Sequence, residues 1–372
     1  MSFPELSTEL LDLFGKGVRA ALPEDRFNDL ALRVFRYQCH TNPVYGAFVR
    51  RRGVVPGGVT RWEEIPAVPT QAFKSLALVA GDPGRVERVF RTSGTTRGRD
   101  RRGEHHVLDL SLYRGSLLPN FRAFLLPEDE PLPCLCLLPS PEEAPDSSLS
   151  FMLATVREST GRTGGGFFLR PSGEIETKAL RDAILGAEEE ARPVVLAGTA
   201  FAFVHLLEML ESEGWRARLP EGSRIMETGG YKGRSRSLPR EELYLGLEEG
   251  LGVPASRIVN EYGMTELLSQ FYEPVLVGGV APELTRRFHQ GPPWVRTRAL
   301  DPLTLEPVPP GEVGILSHVD LANLGSAMAV LTEDLGQMVE GGFRLRGRAA
   351  GAEPRGCSLA MEDFVASAGE GP

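Results

Sequence analysis

Residues 91–102 read RTSGTTRGRDRR. Thr92, Ser93, Thr95 and Thr96 supply hydroxyl donors, and Gly94 and Gly98 permit close backbone approach and unusual angles. Hydroxyls and converging backbone N–H groups suit phosphate. No GxxxxGK[ST] pattern is present, so the stretch is not a Walker loop. A polar hairpin tip would have the same composition. The second stretch is EYGMTE, residues 261–266, directly after the apolar SRIVN. The Tyr262 ring can stack on a base. Thr265 can bond a phosphate oxygen, and Glu266 can hold Mg²⁺, which takes carboxylate and phosphate oxygens together. A glycine turn leading into a helix with an N-terminal carboxylate would read the same way.

Other reactive side chains carry weaker signals. His105 and His106 follow the hydroxyl-rich loop and can line its mouth, although adjacent histidines on an exposed segment are usually incidental. His205 falls on an apolar helical stretch, which predicts a satisfied core histidine. Cys134 and Cys136 share one face of an apolar run and are expected in the core. Nothing near Cys39 would activate it. Cys357 lies two residues from Arg355 in a Gly-bearing turn, where a cation lowers a thiol pKa; a buried thiol is the alternative. The four cysteines match neither a zinc site nor a disulfide framework.

These residues need elements to position them. Residues 1–50 carry apolar positions at helical spacing, in LSTELLDLF and FNDLALRVFRYQ. Residues 51–70 are rich in Gly and Pro and read as an irregular connection. From about residue 133 short apolar runs alternate with helical stretches: PCLCLLPS, PVVLAGTA before FAFVHLLEMLESEG, SRIMETGG before PREELYLGLEEGLG, and SRIVNEYG. Strand, turn, helix, strand is the signature of βαβ units and a largely parallel sheet. Ligands of such sheets bind beyond the carboxyl strand ends. Ser140, Gly198, Thr199, Thr228, Gly229, Gly230, Glu261, Tyr262 and Gly263 are expected there. GEVGILSHVD alternates like a strand, and AVLTEDLGQMVEGGFRLRGR reads as strands joined by turns.

The 372 residues suggest one large α/β domain, alone or with a small one. A net charge of −9 argues against a general nucleic-acid binder. No apolar run reaches the roughly 18–20 residues of a membrane span. The acidic N-terminus lacks a leader pattern, so a cytoplasmic protein is expected.

In their order, these motifs resemble the superfamily of acyl-adenylating enzymes, which includes acyl-CoA synthetases, luciferase-like ligases and adenylation domains. TSGTT (92–96) is similar to its phosphate loop, TGGY (228–231) to its adenine-pocket segment, and YGMTE (262–266) to its aromatic–Gly–x–Thr–Glu motif. Asp334 in TED stands where that superfamily places a ribose-binding aspartate, and LRGRAAGAEPRG (345–356) resembles the Gly-Arg segment leading to its small C-terminal domain. A closer resemblance is to the acyl-protein synthetase family of bacterial luminescence, the fatty-acid ligase of a fatty acid reductase complex. VPTQAFKS (68–75), PDSSLSFML (145–153), GTAFAF (198–203), TGGYKG (228–233) and RGCSL (355–359) carry it.

The resemblance implies an α/β acyl-adenylate-forming fold. A large domain with βαβ subdomains would span 1–344, its helical part about 1–90. A short segment at 345–372 would replace the usual C-terminal domain. It implies ATP and Mg²⁺ as cofactors, a fatty or other carboxylic acid as substrate, and a reductase or acyltransferase protein as partner. Thr92, Ser93, Gly94, Thr95, Thr96 and Arg97, with weaker help from Arg99, would take the phosphates. Gly229, Gly230 and Tyr231 would border adenine, with Tyr262 and Gly263 beside them. Asp334 and Arg348 would complete the ATP site. Thr265 and Glu266 would act in catalysis, Glu266 as the Mg²⁺ ligand, and Cys357 would accept the acyl group as a thioester. Gly198, Thr199, Ala200 and Phe201 are expected in the acyl pocket.

This sequence departs from the superfamily in two ways. Only 16 residues follow Gly356 and none is lysine, so the late catalytic lysine has no counterpart there. Lys232 is one substitute, with a surface lysine as the simpler reading. Ala349, Ala350 and Gly351 stand where an acidic hinge residue is common. The alternatives left open are an acyl- or aryl-CoA ligase, a catalytically weak nucleotide-binding relative, and an interaction protein.

Overall fold

The structure is a computed structural model that describes residues 2–92, 102–229, 238–278 and 282–349. The predicted sites Ser93, Gly94, Thr95, Thr96, Arg97, Arg99, Gly230, Tyr231, Lys232, Ala350, Gly351 and Cys357 lie outside the described residues.

The N-terminal helices are α1 (Phe3–Gly15), α2 (Glu24–Thr41) and α3 (Pro43–Arg51). Asn42 ends α2 and caps α3, its side chain accepting from Tyr45 N at 3.1 Å, and Pro43 follows at the first helical position. Next come β1 (Val68–Pro69), α4 (Ala72–Ser75), β2 (Arg88–Arg91), β3 (Glu104–Val107) and α5 (Leu110–Leu125). The middle of the chain supplies β4 (Cys134–Leu137), α6 (Ser148–Thr160), β5 (Gly166–Phe167), α7 (Thr177–Glu189) and β6 (Val195–Thr199). It continues with α8 (Ala200–Ser212), β7 (Arg224–Thr228), α9 (Arg240–Leu251), β8 (Ile258–Tyr262) and β9 (Phe271–Tyr272). The last strands are β10 (Val295–Leu300), β11 (Val313–Asp320), β12 (Ala329–Val339) and β13 (Gly342–Arg348).

Contacts divide the chain into two compact units. One holds Met1–Pro119, Met264–Gln270 and Gln290–Pro372; the other holds Asn120–Gly263 and Phe271–His289. The division falls inside the YGMTE motif, between Gly263 and Met264.

In the second unit the six-stranded sheet has the order β5-β4-β6-β7-β8-β9, parallel except for β9. Strands β4, β6, β7 and β8 are the four apolar runs of the sequence. They read as continuous apolar stretches because helices cover parallel sheets on both faces. Leu180 and Ile184 of α7, Phe203 and Leu206 of α8, and Leu247 of α9 pack with Leu135, Leu196 and Ile225 in one buried cluster. At Gly198 an added Cβ would come within 2.9 Å of the Leu137 Cβ, so glycine permits the close packing of β6 on β4.

The first unit holds a five-stranded sheet in the order β1-β12-β11-β10, with β13 also on β12. β12 and β13 form the expected hairpin. The alternation in GEVGILSHVD predicts a strand with one buried face, but β11 is buried at every residue after Val313. The polar Ser317 and His318 are buried with the apolar residues. His318 takes a hydrogen bond partner in Thr297 on β10 at 2.9 Å, and burial pulls its pKa down to about 3.

Candidate active site

In the second unit the ends of β6, β7 and β8 bring three predicted segments side by side. Thr199 pairs with Thr228 and Thr228 with Glu261 across neighbouring strands. Gly229 follows with φ of +77°, a left-handed conformation that favours glycine, so the chain turns off the sheet there. The Thr228 hydroxyl donates to the Glu261 carboxyl and to its backbone carbonyl, the latter at 3.2 Å. Burial raises the Glu261 pKa to about 7; the Thr228 bond opposes the rise and nearby Glu227 adds to it. Glu227 is buried too, and burial raises its pKa. Tyr244 donates to it at 3.0 Å, and Asn260 donates at 2.5 Å. The Tyr262 ring is buried, 5.7 Å from Phe271 and 5.9 Å from His289 between ring centres. His289 bonds Asn260 at 2.7 Å, and burial lowers its pKa to about 4. Glu227, Tyr244, Asn260 and His289 therefore form one buried polar group, and Thr228 with Glu261 forms another on the opposite face of the sheet.

The expected acyl-pocket segment is the junction from β6 to α8. Thr199 is the N-cap of α8, its hydroxyl accepting from Ala202 N at 3.1 Å. Ala200 is in the core cluster, and Phe201 meets the His205 ring at 4.3 Å. His205 itself corrects the sequence reading. It is 40% exposed and pairs with Glu208 one turn along α8 at 3.4 Å, so it is not a core histidine. It belongs to the polar stripe of a helix whose other positions are apolar.

In the first unit β2 and β3 form a hairpin whose connection carries the TSGTT loop. Thr92 closes its base: its N–H donates to Gly103 O, and its hydroxyl accepts from Gly103 N, both at 2.9 Å. The hydroxyl keeps its proton for a further acceptor. Arg102 donates to the Thr92 carbonyl at 2.5 Å and so also ties the loop base.

The segment bearing Thr265 and Glu266 is held from three directions. Asn323 donates to the Glu266 carbonyl at 2.7 Å and accepts from Leu268 N at 3.0 Å. The buried Asp320 carboxylate accepts from Leu268 N at 3.1 Å, Ser269 N at 2.9 Å and Ser269 Oγ at 2.7 Å. His105 reaches the Thr265 carbonyl at 2.7 Å. His105 is 1% exposed, which corrects the expectation of an exposed His-His pair. Neighbours on a strand face opposite sides, and His106 lies half-buried on the other face, 3.4 Å from Glu104. Asp320 and Asn323, in the sequence VDLAN, belong to no motif and were missed. Their only sequence signal is a pair of polar residues at the end of an apolar strand.

A single carboxylate with an adjacent hydroxyl fits Mg²⁺, which fills its shell with phosphate oxygens and water. Glu266 with Thr265 supplies that pair. Among the described residues no cluster of three or more His, Cys, Asp or Glu side chains could hold a metal alone.

Asp334 on β12 pairs with Arg348 on β13 at 3.1 Å, so two predicted nucleotide residues are partners. The preceding residue, Glu333, accepts from Gln71 at 2.9 Å. β1 also runs parallel to β12, so VPTQAFKS and TED become neighbours although about 260 residues separate them. Cys134 and Cys136 are buried as expected, and burial drives the Cys136 thiol far up. Burial also raises Cys39 to about 12, with Arg50 opposing, in keeping with an unactivated thiol.

The family model for acyl-protein synthetase, LuxE, matches residues 23–366. The long-chain-fatty-acid–luciferin-component ligase of Vibrio harveyi is 26% identical over 344 residues, covering 89% of this chain and 85% of the relative. The protein of the same name from Aliivibrio fischeri is 28% identical over 190 residues, covering 47% and 46%. Among solved structures, 2-hydroxyisobutyryl-CoA ligase in an open conformation with 2-HIB-AMP and CoA superposes with a TM-score of 0.59 at 16% identity. That match covers 89% of this chain and 71% of the ligase. The same enzyme in its postadenylation state with R3-HIB-AMP gives 0.58 at 14% identity, covering 93% and 74%. These structures establish the adenylate-forming fold. No helix among the described residues is long and apolar enough to cross a membrane. With the family model spanning most of its length, the chain belongs to the LuxE acyl-protein synthetase family and is a ligase of the acyl-adenylate-forming type.

Proposed function

We propose that the chain activates a long-chain fatty acid with ATP and transfers the acyl group to its own Cys357. The carboxylate oxygen attacks the α-phosphorus, the bond to the β-phosphate bridge breaks, and pyrophosphate leaves. The thiolate of Cys357 then attacks the acyl carbonyl and AMP departs, leaving a thioester. The identity of the acid follows the names of the two Vibrio-type relatives.

The observation that carries this reading is the alignment of predicted nucleotide segments along one sheet edge, with Gly229 directly after Thr228 and Tyr262 directly after Glu261. Open parallel sheets bind ligands at that edge. Bound Mg²⁺ would neutralise phosphate charge beside Glu266. Thr92 and the hydroxyls of TSGTT would hold the departing phosphates, and Gly229 would let the chain approach adenine. Asp334 would accept from the ribose hydroxyls, with Arg348 orienting its carboxylate. Such phosphoryl chemistry depends on positioning and charge stabilisation more than on covalent help. The Cys357 thioester would serve a reductase or acyltransferase partner.

ATP–pyrophosphate exchange over a panel of fatty and aryl acids, with intact-mass analysis, tests the proposal. Exchange with long-chain acids and an acyl mass gain lost in Cys357→Ser are expected. Absence of exchange with every acid would overturn the adenylation step. CoA-dependent turnover surviving Cys357→Ser would favour the acyl-CoA ligase reading.

A further inference from the structure

We infer that His105 is a positioning residue that fixes the base of the TSGTT hairpin to the Thr265–Glu266 turn, through a hydrogen bond from Nδ1–H to the Thr265 carbonyl. The inference rests on the ligase reading above. It concerns a side chain outside every nucleotide motif of the sequence.

The geometry sets the direction of the bond. A backbone carbonyl can only accept, so at 2.7 Å the Nδ1 atom must carry the proton. Nε2 of the neutral ring is then an acceptor. The edge of Phe73, from VPTQAFKS, lies against the ring with centroids 5.7 Å apart and planes at 79°. His105 therefore has little freedom to turn.

Chain order shows what the bond joins. Gly103 is clamped to Thr92 at the loop base, and His105 lies two residues further along β3. Thr265 lies 160 residues away in sequence. In the proposed reaction one side of this bond holds phosphates and the other holds the carboxylate for Mg²⁺. In-line attack needs that spacing constant, because small misplacements of reacting groups cost large factors in rate. Asp320 and Asn323 grip the turn beyond Thr265, at Glu266, Leu268 and Ser269. His105 grips it at Thr265 from the hairpin side, so the bond is not redundant with theirs.

The test compares wild type, His105→Phe, His105→Asn and His105→Gln by thermal melting and ATP–pyrophosphate exchange. Asn can donate from near the Nδ1 position, Gln donates from nearer Nε2, and Phe keeps the ring without a donor. His105→Phe is expected to lower kcat for exchange by about tenfold or more with KM for the acid little changed. His105→Asn should stay within about threefold of wild type. Exchange by folded His105→Phe within threefold of wild type, or equal loss in Asn and Phe, overturns the inference. If His105→Phe does not fold, the Asn and Gln variants decide: preserved exchange in Asn alone supports it, and equal exchange overturns it. If wild type exchanges no pyrophosphate, the ligase reading fails separately. Amide hydrogen exchange of residues 264–270 then judges the link. Faster exchange in Gln but not in Asn supports it, and any other pattern overturns it.

Discussion

The Thr228 hydroxyl donates to the Glu261 carboxyl across β7 and β8, one residue before each strand's candidate ligand segment. Burial is the largest influence on Glu261 and raises its pKa from 4.5 to about 7. A folded pKa above the unfolded one means that the native state binds the proton more tightly. The corresponding stability is complete below about pH 4.5 and is lost as pH rises through about 7. Melting from pH 5 to 8 should show this decline, on the order of 3 kcal/mol at most. Glu261→Gln keeps an acceptor for Thr228 and cannot ionise, so its profile should be flatter over that window. Equal slopes in the two proteins would show that Glu261 does not titrate there.

Asp320 anchors the turn that carries Thr265 and Glu266. Its carboxylate accepts from Leu268 N, Ser269 N, Ser269 Oγ and Ala322 N. Asp320→Ala would strand these buried donors, each costing about 1–3 kcal/mol when left without a partner. A loss of roughly 3–5 kcal/mol in denaturant unfolding is expected, because some donors will find water. Asp320→Asn keeps one acceptor oxygen and should lose less. An Ala variant as stable as wild type would contradict the anchoring role.

The parallel sheet was legible because β4, β6, β7 and β8 are apolar runs separated by helices and small-residue turns. The carboxyl ends of such strands follow from the same pattern, so the sequence places Thr199, Thr228 and Glu261 there, where they do lie side by side. The two-residue strands β1, β5 and β9 left no trace, since two residues show no period. The expectation of an exposed pair fails at His105 for a physical reason: the segment after the hydroxyl-rich loop is a strand, and its alternation buries the His105 ring while His106 stays half-buried. Asp320 and Asn323 act on a segment more than 50 residues earlier, and no local pattern announces a partner that distant. His205 failed the other way, because an apolar helix still presents one polar stripe.

Asp334 and Arg348 form an ion pair whose arginine is 57% exposed. Such a pair contributes little to folding, about 0–1 kcal/mol. A binding role for Asp334 therefore predicts a separation of effects. Asp334→Ala should raise KM for ATP by about tenfold or more, on the scale of a lost charged hydrogen bond. Its melting temperature should change by only a few degrees. Unchanged KM with lowered stability would assign the pair to the β12–β13 hairpin alone.

Thiol chemistry separates the cysteines. Burial holds Cys39 at about pKa 12, so at pH 8 its thiolate is only about one part in ten thousand. Burial also suppresses the thiolate of Cys136, whose Sγ lies 3.6 Å from that of Cys134. An acyl group leaving AMP needs a thiolate acceptor, and Cys39 and Cys136 are poor ones in the folded protein. Incubation with ATP, Mg²⁺ and a long-chain acid should therefore add one acyl mass, released by neutral hydroxylamine as expected of a thioester. Peptide mapping should place it on Cys357, and Cys357→Ser should abolish it while pyrophosphate exchange continues. Acyl groups mapped to the buried Cys134 or Cys136 would mean that the interior opens during turnover, and acylation of any cysteine in place of Cys357 would remove its assigned role.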